Sequence, residues 1–393
     1  MIYTGKHLPA YILPIACLGI FLGILFSGLW PLVLRIPNKA RLLGSGSGIR
    51  FTGESKRYKL DAGGVAFTPD LLRTSSGADG SGEISIEICL IPFKEFTSGV
   101  GTIVVFCDRD QNSKLIIGQW KASLIVRTFY YQSLDRGSYT EIGMLDALMP
   151  GRKSVLTVTS GQEGTSIYVN GEEGKFFPGV SLLPPTEKLS NLRIFLGNDP
   201  DVTAPWSGEI EGLVIYDREL TAFDVADSLS RWKDPPSDDN IREQNPIAYY
   251  RFTEVNSAHV SDRSGHGNAL LIPTYFQLRQ RPLQAFNRAK PDVSDMVINV
   301  AGFVPLGLSF FLWLRRWKRF PALWAGMAVL LFGLLISLGI EWTQSFLPSR
   351  SSSLMDVMCN ALGVVLGVSV GFWVFKKKGP RFYYAPRNSI REP

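Results

Sequence analysis

Seven polar residues lie at the ends of apolar segments, where their side chains could bind a ligand or transfer a proton. The seven are Asp295, Asn299, Glu341, Gln344, Arg350, Asp356 and Asn360. Carboxylates can act as general acids, general bases or metal ligands, and arginine can bind a phosphate or carboxylate through two hydrogen bonds. The candidate catalytic residues are therefore Glu341 as the base, with Asp356 or Asp295. The alternative is a hydrogen-bonded clasp, in which Arg350 pairs with Glu341 or Asp356 and the amides cap helix ends.

Four long apolar segments are able to position these groups in a membrane. They cover about residues 8–34, 293–314, 321–347 and 354–375. About 20 apolar residues are enough to cross the hydrocarbon core as a helix, so the sequence predicts four transmembrane helices. No small-x-small cleavage pattern precedes the basic segment that begins at Arg35. The first segment is therefore expected to be a retained anchor instead of a cleaved signal peptide.

Basic residues predict the direction in which the helices cross the membrane. The short loop "RRWKR" (315–319) and the tail 377–393 are rich in lysine and arginine, and such short segments favour the cytoplasm. Both termini are then cytoplasmic and the long segment between the first two helices is extracytoplasmic, as in a multi-pass protein of the bacterial inner membrane. The net charge of +6 is concentrated on the cytoplasmic side, which favours membrane lipids over nucleic acid as partners.

The residues between the first two helices have a different pattern, in which short alternating apolar runs are separated by turn residues. Examples are "EISIEICLI", "GTIVVFC" and "SVLTVTS". Period-two runs of this kind predict an all-β sandwich over residues 47–276. Two cysteines in neighbouring predicted strands, Cys89 and Cys107, could form a disulfide outside the cytoplasm. Because Cys89 shares its face with charged residues, two free thiols are favoured.

The second half of this region resembles laminin-G-like, concanavalin-type jelly rolls, in "SIYVNGEE", "LRIFLGNDP" and "WSGEIEGLVIYDRELTAFDV". Residues 248–272 resemble the family's opening strand and its D-x-S-G-x-G-N turn, yet they come last. We expect a circular permutation in which Tyr249–Phe252 pairs beside the strand around Ile49–Phe51; the alternative is the start of a truncated second copy. The resemblance implies binding of glycans or proteins, in some members with calcium. Asp262 and Asn268 are candidate calcium ligands, unless their segment is simply a turn.

Two of the apolar helices share the pattern D-x3-N-x2-G, in "DMVINVAGFVPLG" and "DVMCNALGVVLG". Both helices run in the same direction, as in a duplicated helical hairpin. Glycines at spacings of three and four continue this face in the last helix and form a seam that lets another backbone approach closely. The predicted packing residues are Gly302, Gly363, Gly367 and Gly371.

Residues 1–46 and 285–376 resemble the VanZ-like family of four-helix membrane proteins. The resemblance rests on "SDMVINVAGFVPLG", "GIEWTQSFLPSRSSSLMDVMCNALG" and, more loosely, "SGLWPLVLRIPNK". It implies that the seven polar residues are the family's signature positions. The family is named for a protein associated with teicoplanin resistance, which implies an envelope role near glycopeptides or lipid-linked wall components. The inserted sandwich departs from the family's pattern, and the family offers no reaction to carry over.

The predicted fold is a multi-domain membrane protein with four transmembrane α-helices and a jelly-roll sandwich between helices one and two. It divides into a first helix with its exit segment (1–46), the sandwich (47–276), a helical region (285–376) and a basic tail (377–393). In one functional hypothesis the sandwich binds an envelope glycan or a protein, and the helices hold a polar head group or act as an anchor. In the other, an enzyme acts on a lipid-linked head group through Glu341, Asp356 and Asp295. Binding is preferred and no cofactor is predicted, because no histidine lies near the helical pocket and no metal or phosphate motif is recognisable.

Overall fold

The computed structural model describes most of the chain. The described residues are 11–44, 48–53, 63–74, 82–129, 139–233, 244–255, 257–276, 283, 293–316, 321–347, 350 and 352–377. The chain forms two compact units, which are residues 35–279 and residues 1–34 with 280–393. The predicted basic tail lies outside the described residues beyond Lys377.

Four of the five α-helices in the described residues are long and apolar enough to cross a membrane. The helices are α1 (Ile12–Leu29), α2 (Ala222–Lys233), α3 (Val293–Arg316), α4 (Ala322–Gln344) and α5 (Leu354–Lys377). The four predicted spans are thus confirmed as helices, and α2 belongs to the sandwich unit. α1 ends at Leu29 instead of near Leu34, because Pro31 disfavours helical backbone at the residue before it.

The sandwich unit contains short antiparallel strands. They are β1 (Arg41–Leu42), β2 (Ile49–Phe51), β3 (Ala66–Phe67), β4 (Ile84–Pro92), β5 (Phe96–Cys107), β6 (Ser113–Lys121), β7 (Ser123–Thr128), β8 (Thr140–Met144), β9 (Ser154–Ser160), β10 (Gly164–Val169), β11 (Glu172–Pro178), β12 (Arg193–Leu196), β13 (Gly208–Tyr216), β14 (Ala248–Tyr250), β15 (His259–Val260) and β16 (Leu270–Leu271).

These strands form two sheets that pack face to face. The first sheet has the order β1-β2-β13-β4-β9-β10-β11, and β14 also pairs with β13. The second sheet has the order β15-β16-β3-β12-β5-β6-β7-β8. One core lies between them, in which Ile86 and Leu90 of β4 pack in the same cluster as Val104 and Phe106 of β5. The predicted jelly-roll-like sandwich is confirmed.

The outer face of the first sheet is covered by α2. Val225 of α2 packs in one cluster with Val214, Tyr216 and Tyr249. Because this cover buries the outer face as well, Glu87 of β4 is buried although it alternates with core residues. The hydroxyl of Tyr216 donates a hydrogen bond to Oε2 of Glu87 at 3.2 Å, which satisfies part of that buried carboxylate.

The pairing predicted for the late strand differs from the structure. β2 pairs with β13 at residues 208–210 and β14 pairs with β13 at residues 213–215, so they lie one after the other along the same partner. The predicted pairing of Tyr249–Phe252 with Ile49–Phe51 is therefore wrong. β2 and β14 have 3 residues each, and β13 has 9, which is long enough to pair with both. The circular permutation itself stays a prediction.

Cys89 and Cys107 are free and buried, as expected. On β4, Cys89 alternates with the core residues Ile88 and Leu90, and on β5, Cys107 follows the core residue Phe106. The two thiols thus lie on the outer faces of opposite sheets. Since packed sheets are about 10 Å apart, these cysteines cannot reach each other for a disulfide. Burial raises the pKa of the Cys89 thiol to about 12, and burial also raises the pKa of Cys107.

Candidate functional site

The end of α4 and the start of α5 hold a buried carboxylate. Glu341 is 2% exposed, and its Oε2 atom accepts a hydrogen bond from the main-chain N–H of Ser353 at 2.8 Å. Ser353 precedes α5, and its hydroxyl accepts a hydrogen bond from the N–H of Met355 at 3.1 Å. Side-chain oxygens commonly satisfy the donors at the start of a helix. Glu341 is thus fixed in place by the helix that follows it.

Farther from the loop that joins α4 to α5, a serine and an asparagine are hydrogen-bonded to each other. Nδ2 of Asn360 on α5 donates to the hydroxyl oxygen of Ser337 on α4 at 2.9 Å. Asn360 is 3% exposed, and its Oδ1 atom has no hydrogen-bond partner among the described residues. A buried carbonyl oxygen without a partner is costly, so this position can accept a hydrogen bond from a ligand or an ordered water.

The repeated D-x3-N pattern brings α3 and α5 together. Nδ2 of Asn299 on α3 donates to Oδ1 of Asp356 on α5 at 2.8 Å. The amide of one copy of the pattern therefore bonds to the carboxylate of the other. Asp295, one turn earlier on α3, is exposed. We call Asn299, Ser337, Glu341, Asp356 and Asn360 the polar cluster.

Gln344 and Arg350, the other two predicted site residues, bond to the end of α1 instead. Nε2 of Gln344 donates to the carbonyl oxygen of Gly28 at 2.7 Å. Nη2 of Arg350 donates to the carbonyl oxygens of Ser27, at 3.2 Å, and of Trp30. The last carbonyls of a helix have no partner within it and carry partial negative charge, so an amide and a guanidinium satisfy them well.

The partners of Arg350 differ from those expected in the hydrogen-bonded clasp. Within the part of the chain that the structure describes, no ion pair joins Arg350 to Glu341 or Asp356. The arginine therefore attaches α1 to the other helices instead of forming an ion pair with either carboxylate. The polar cluster keeps an excess of acceptors, namely two carboxylates and the free amide oxygen of Asn360.

The glycine seam of α5 lies against α3. A methyl group at Gly363 would contact the carbonyl oxygen of Val300, and one at Gly367 would contact that of Val304. At Gly371 it would contact the ring of Phe311. A methyl group at Gly302 would meet nothing within 4 Å, so this glycine lies outside the interface. The equivalent place on α3 is taken by Gly307, whose added methyl group would contact the main chain of α5 at Val364.

Sequence reasoning missed the main-chain partners of the site. The N–H of Ser353 has a signal, since a serine directly before an apolar helix is a typical N-cap. The carbonyl oxygens of Ser27, Gly28 and Trp30 have none, because every residue carries a carbonyl and only the tertiary contact selects these three.

In the sandwich, the turn 262–268 is held by the carboxylate of Asp262. Its Oδ1 accepts from the N–H groups of Tyr249 at 3.0 Å and Ser264 at 2.9 Å. Its Oδ2 accepts from the hydroxyl of Ser264 at 2.7 Å and the N–H of Asn268 at 2.8 Å. The Oδ1 of Asn268 accepts from the N–H of Arg73 at 2.8 Å. Because the protein itself occupies these oxygens, the two candidates do not fit a calcium site and act in the turn.

The outer face of the second sheet carries aromatic rings beside an ion pair, at strands β7 and β8. Nε of Arg127 lies 2.5 Å from Oε2 of Glu141, and the guanidinium carbon lies 4.7 Å from the ring centroid of Tyr139. The ring centroids of Phe129 and Tyr139 are 5.8 Å apart. We call these four residues the aromatic face. Its sequence signal is the alternation of Arg127 with the core residue Val126, but the partner strand could not be assigned from the sequence.

Two family models match separate parts of the chain. Residues 247–376 match the model described as VanZ/LLP1, and residues 97–226 match the model of the Concanavalin A-like lectin/glucanases superfamily. Both resemblances seen in the sequence are confirmed. The first match begins at Ile247, before the predicted start of the helical region at residue 285, and its first residues belong to the sandwich unit. The chain is thus a membrane protein with a concanavalin A-like domain.

Several solved structures are similar to part of the chain. A heptameric SAP-like pentraxin from Limulus polyphemus is 15% identical, with 45% of this chain and 78% of that chain covered and a TM-score of 0.34. A Bacteroides ovatus protein assigned to carbohydrate binding is 14% identical, with 62% of each chain covered and a TM-score of 0.37. The binding domain of Botulinum neurotoxin DC, in complex with rat synaptotagmin II, is 14% identical, with coverage of 50% and 46% and a TM-score of 0.36.

These likenesses are too distant to carry an argument about function. The chain spans less than two thirds of the length of the second and third of these structures. No curated protein matches the sequence. The sandwich is identified by its own two sheets and by the family match over residues 97–226.

Proposed function

We propose that the chain is a membrane-anchored binding protein of the bacterial envelope. In this proposal the sandwich binds a glycan on the extracytoplasmic side, and the helical unit anchors it and holds a polar lipid head group. Both termini lie in the cytoplasm, because the loop 315–319 and the tail are basic and short. The four apolar helices and the two family matches support the membrane location and the presence of the binding domain.

The observation that carries the glycan proposal is the aromatic face. Tyr139, which directly precedes β8, is 46% exposed although it is a large aromatic residue. The apolar side of a sugar ring packs against such a ring, and the ion pair of Arg127 and Glu141 supplies both a donor and an acceptor for hydroxyl groups. Because Arg127 already stacks on Tyr139, the ring is held in one orientation before a ligand binds.

Replacing Tyr139 with alanine is therefore expected to weaken glycan binding at least about fivefold, since a buried aromatic contact contributes about 1 kcal/mol. The measurement uses the full chain in nanodiscs on a glycan array, followed by titration of the best ligand. Phe176→Ala is the matched control, because Phe176 on β11 is also 46% exposed but belongs to the first sheet. Equal binding by both variants and the parent would contradict the assignment of this face.

The helical part of the proposal rests on the unbalanced acceptors of the polar cluster. Glu341 and Asn360 are buried, and Arg350 bonds to α1 instead of to a carboxylate. A head group that carries hydroxyl or amino donors would satisfy these acceptors, whereas an additional anion would be repelled. Intramembrane polar groups are costly to keep, and a ligand is one reason for their presence.

A second candidate function is an enzyme that acts on a lipid-linked head group. The observation that favours it is the buried carboxylate of Glu341, which has a hydrogen bond from Ser353 and no ion pair to Arg350 among the described residues. A carboxylate without a bound cation can accept a proton from a substrate hydroxyl. Asp356 lies on the facing helix and bonds to the amide of Asn299, so it would orient the substrate or act as the acid.

For the enzyme, Glu341→Gln is expected to lower kcat about 100-fold while the protein level is unchanged, because the amide cannot take up the proton. Turnover of lipid-linked wall precursors would be measured with purified protein at several pH values. Thr343→Val serves as the control, since Thr343 is an exposed residue near the same end of α4. If the parent shows no turnover and Glu341→Gln changes only the protein level, the enzyme is excluded and the cluster is structural or binding.

A further inference from the structure

The polypeptide enters and leaves the sandwich at neighbouring points. The N–H of Phe276 donates to the carbonyl oxygen of Ile36 at 2.9 Å, and Ile36 is buried. The side-chain amide of Asn38 donates to the carbonyl oxygens of Val65 and Pro273, each at 2.8 Å. The first and last described residues of the sandwich unit are therefore fixed side by side at one end of it.

Three exposed loops lie at the same end. Nζ of Lys94 donates to the carbonyl oxygen of Gly53 at 2.6 Å. The preceding residue, Thr52, has its carbonyl oxygen beside Gly63. The N–H of Lys39, in the entering segment, donates to the carbonyl oxygen of Gly63 at 3.0 Å. Loop 93–95 is thus connected to the entry point of the chain.

The other two loops are connected to loop 93–95 by further hydrogen bonds. The side chain of Gln119 donates to the carbonyl oxygens of Lys94 at 3.0 Å and Lys121 at 2.6 Å. The N–H of Leu148 donates to the carbonyl oxygen of Ala122 at 2.8 Å. Loops 120–122 and 145–153 therefore continue the same surface. We call loops 93–95, 120–122 and 145–153, with residues 35–39 and 273–276, the tethered end.

Large apolar side chains are exposed all along the tethered end. They belong to Phe93, Trp120, Leu145, Met149 and Tyr275. All three rings lie under cations. Nζ of Lys121 is 4.8 Å from the Trp120 centroid, and the guanidinium groups of Arg35 and Arg50 are each 5.5 Å from the centroids of Tyr275 and Phe93, respectively. Exposed aromatic residues beside lysine and arginine are typical of side chains at the surface of a bilayer.

The length of the chain before the sandwich limits where this end can be. α1 ends at Leu29 and the sandwich contacts begin at Ile36, so only residues 30–35 connect a membrane helix to the tethered end. Six residues can extend over about 20 Å at most. An end that is joined to a membrane helix by only six residues and exposes five large apolar side chains would keep them in water at a cost, unless something covers them.

We propose that the tethered end docks on the phospholipid head-group layer. The apolar side chains enter the interface between head groups and acyl chains, and Lys121 and Arg152 contact lipid phosphates. The acidic residues of this end are Glu95 and Asp146, and its basic residues are Arg35, Lys39, Lys94, Lys121, Arg152 and Lys153, so its formal net charge is +4. Anionic lipid therefore strengthens docking, and the apolar side chains keep it in zwitterionic lipid.

The test places an environment-sensitive fluorophore at single positions of the full chain. The described native cysteines are all buried, so Leu145→Cys, at a residue 77% exposed, provides an accessible thiol. Phe223→Cys on α2 is the control, because Phe223 is 82% exposed and lies at the start of α2, where the loop after β13 leaves the opposite end of the sandwich. The protein is reconstituted in phosphatidylcholine nanodiscs that contain lipids with a head-group quencher.

Docking predicts several-fold stronger quenching of the label at Leu145→Cys than at Phe223→Cys, with a blue-shifted emission. Equal quenching at the two positions would overturn the proposal. A blue shift at Leu145→Cys without quenching would also overturn it, because the surface would then be covered by protein instead of lipid. Met149→Cys repeats the measurement on the same loop, so that a local effect of one substitution is distinguished from docking.

Discussion

Replacing Gly367 with valine is expected to destroy the packing of the helical unit. A methyl group at Gly367 would contact the carbonyl oxygen of Val304 and lie 2.7 Å from the main-chain nitrogen of Leu308. These neighbours are backbone atoms of α3, which cannot turn aside as a flexible side chain can. Forcing the two helices apart also breaks the hydrogen bond between Asn299 and Asp356, which joins α3 and α5 near their N-terminal ends. We expect a loss of more than about 3 kcal/mol, at the upper end of the cost of overpacking.

The measurement is the yield of monodisperse protein in detergent and its thermal midpoint. Gly302→Val is the matched control on the facing helix, because an added methyl group there meets nothing within 4 Å. It should keep the yield of the parent, since exposed valine is no worse than glycine in a helix. If Gly302→Val and Gly367→Val behave alike, the close contact between α3 and α5 is not as described.

Asp262→Ala is expected to unfold the sandwich or bring it close to unfolding. The change removes the acceptor of four hydrogen bonds, three of which come from main-chain N–H groups. Hydrogen bonds to a charged group contribute about 1.5–3 kcal/mol each, and buried donors left without a partner add to the loss. We expect a decrease of about 4 kcal/mol in the free energy of unfolding, a large part of the 5–15 kcal/mol typical of a domain.

Urea unfolding of the full chain, followed by tryptophan fluorescence, measures this decrease. Asp70→Ala is the control, because Asp70 is an exposed aspartate of the same unit. Asp262→Asn should be intermediate, since the amide keeps one oxygen as an acceptor. A midpoint of the parent that rises with calcium, and loses this rise in Asp262→Ala, would show instead that the carboxylate binds the metal.

Much of the fold is predictable because its signals are local. Hydropathy over about 20 residues identifies the four helices, and period-two alternation identifies the sheets. The same alternation places Cys89 among charged residues and correctly separates it from Cys107. The pairing of β14 was not predictable in this way, since a three-residue strand fits any edge with free hydrogen-bonding groups and only the length of β13 decides.

In the helical site, too, local features were predictable from the sequence and tertiary contacts were not. The spacing of Asp356 and Asn360 correctly places both on one side of α5, where each meets a side chain from another helix. The partner of Arg350 was mistaken because charge favours a carboxylate, whereas the end of α1 provides two carbonyl oxygens at the arginine's position. The partner of Arg350 depends on which helix end lies nearby in the folded chain, and this cannot be predicted from the residue type at position 350.

The hydrogen bond between Ile36 and Phe276 has a consequence for how the chain can be altered. Some 240 residues separate Ile36 from Phe276 in sequence, yet the two are as close as residues in a tight turn. The entropic cost of closing a long loop rises by only about 0.6 kcal/mol for each doubling of its length. Because its two ends lie so close together, the domain spans the same distance between α1 and the segment before α3 as a linker of a few residues would. A different module whose ends meet could therefore be transplanted at this point, with the membrane part left intact.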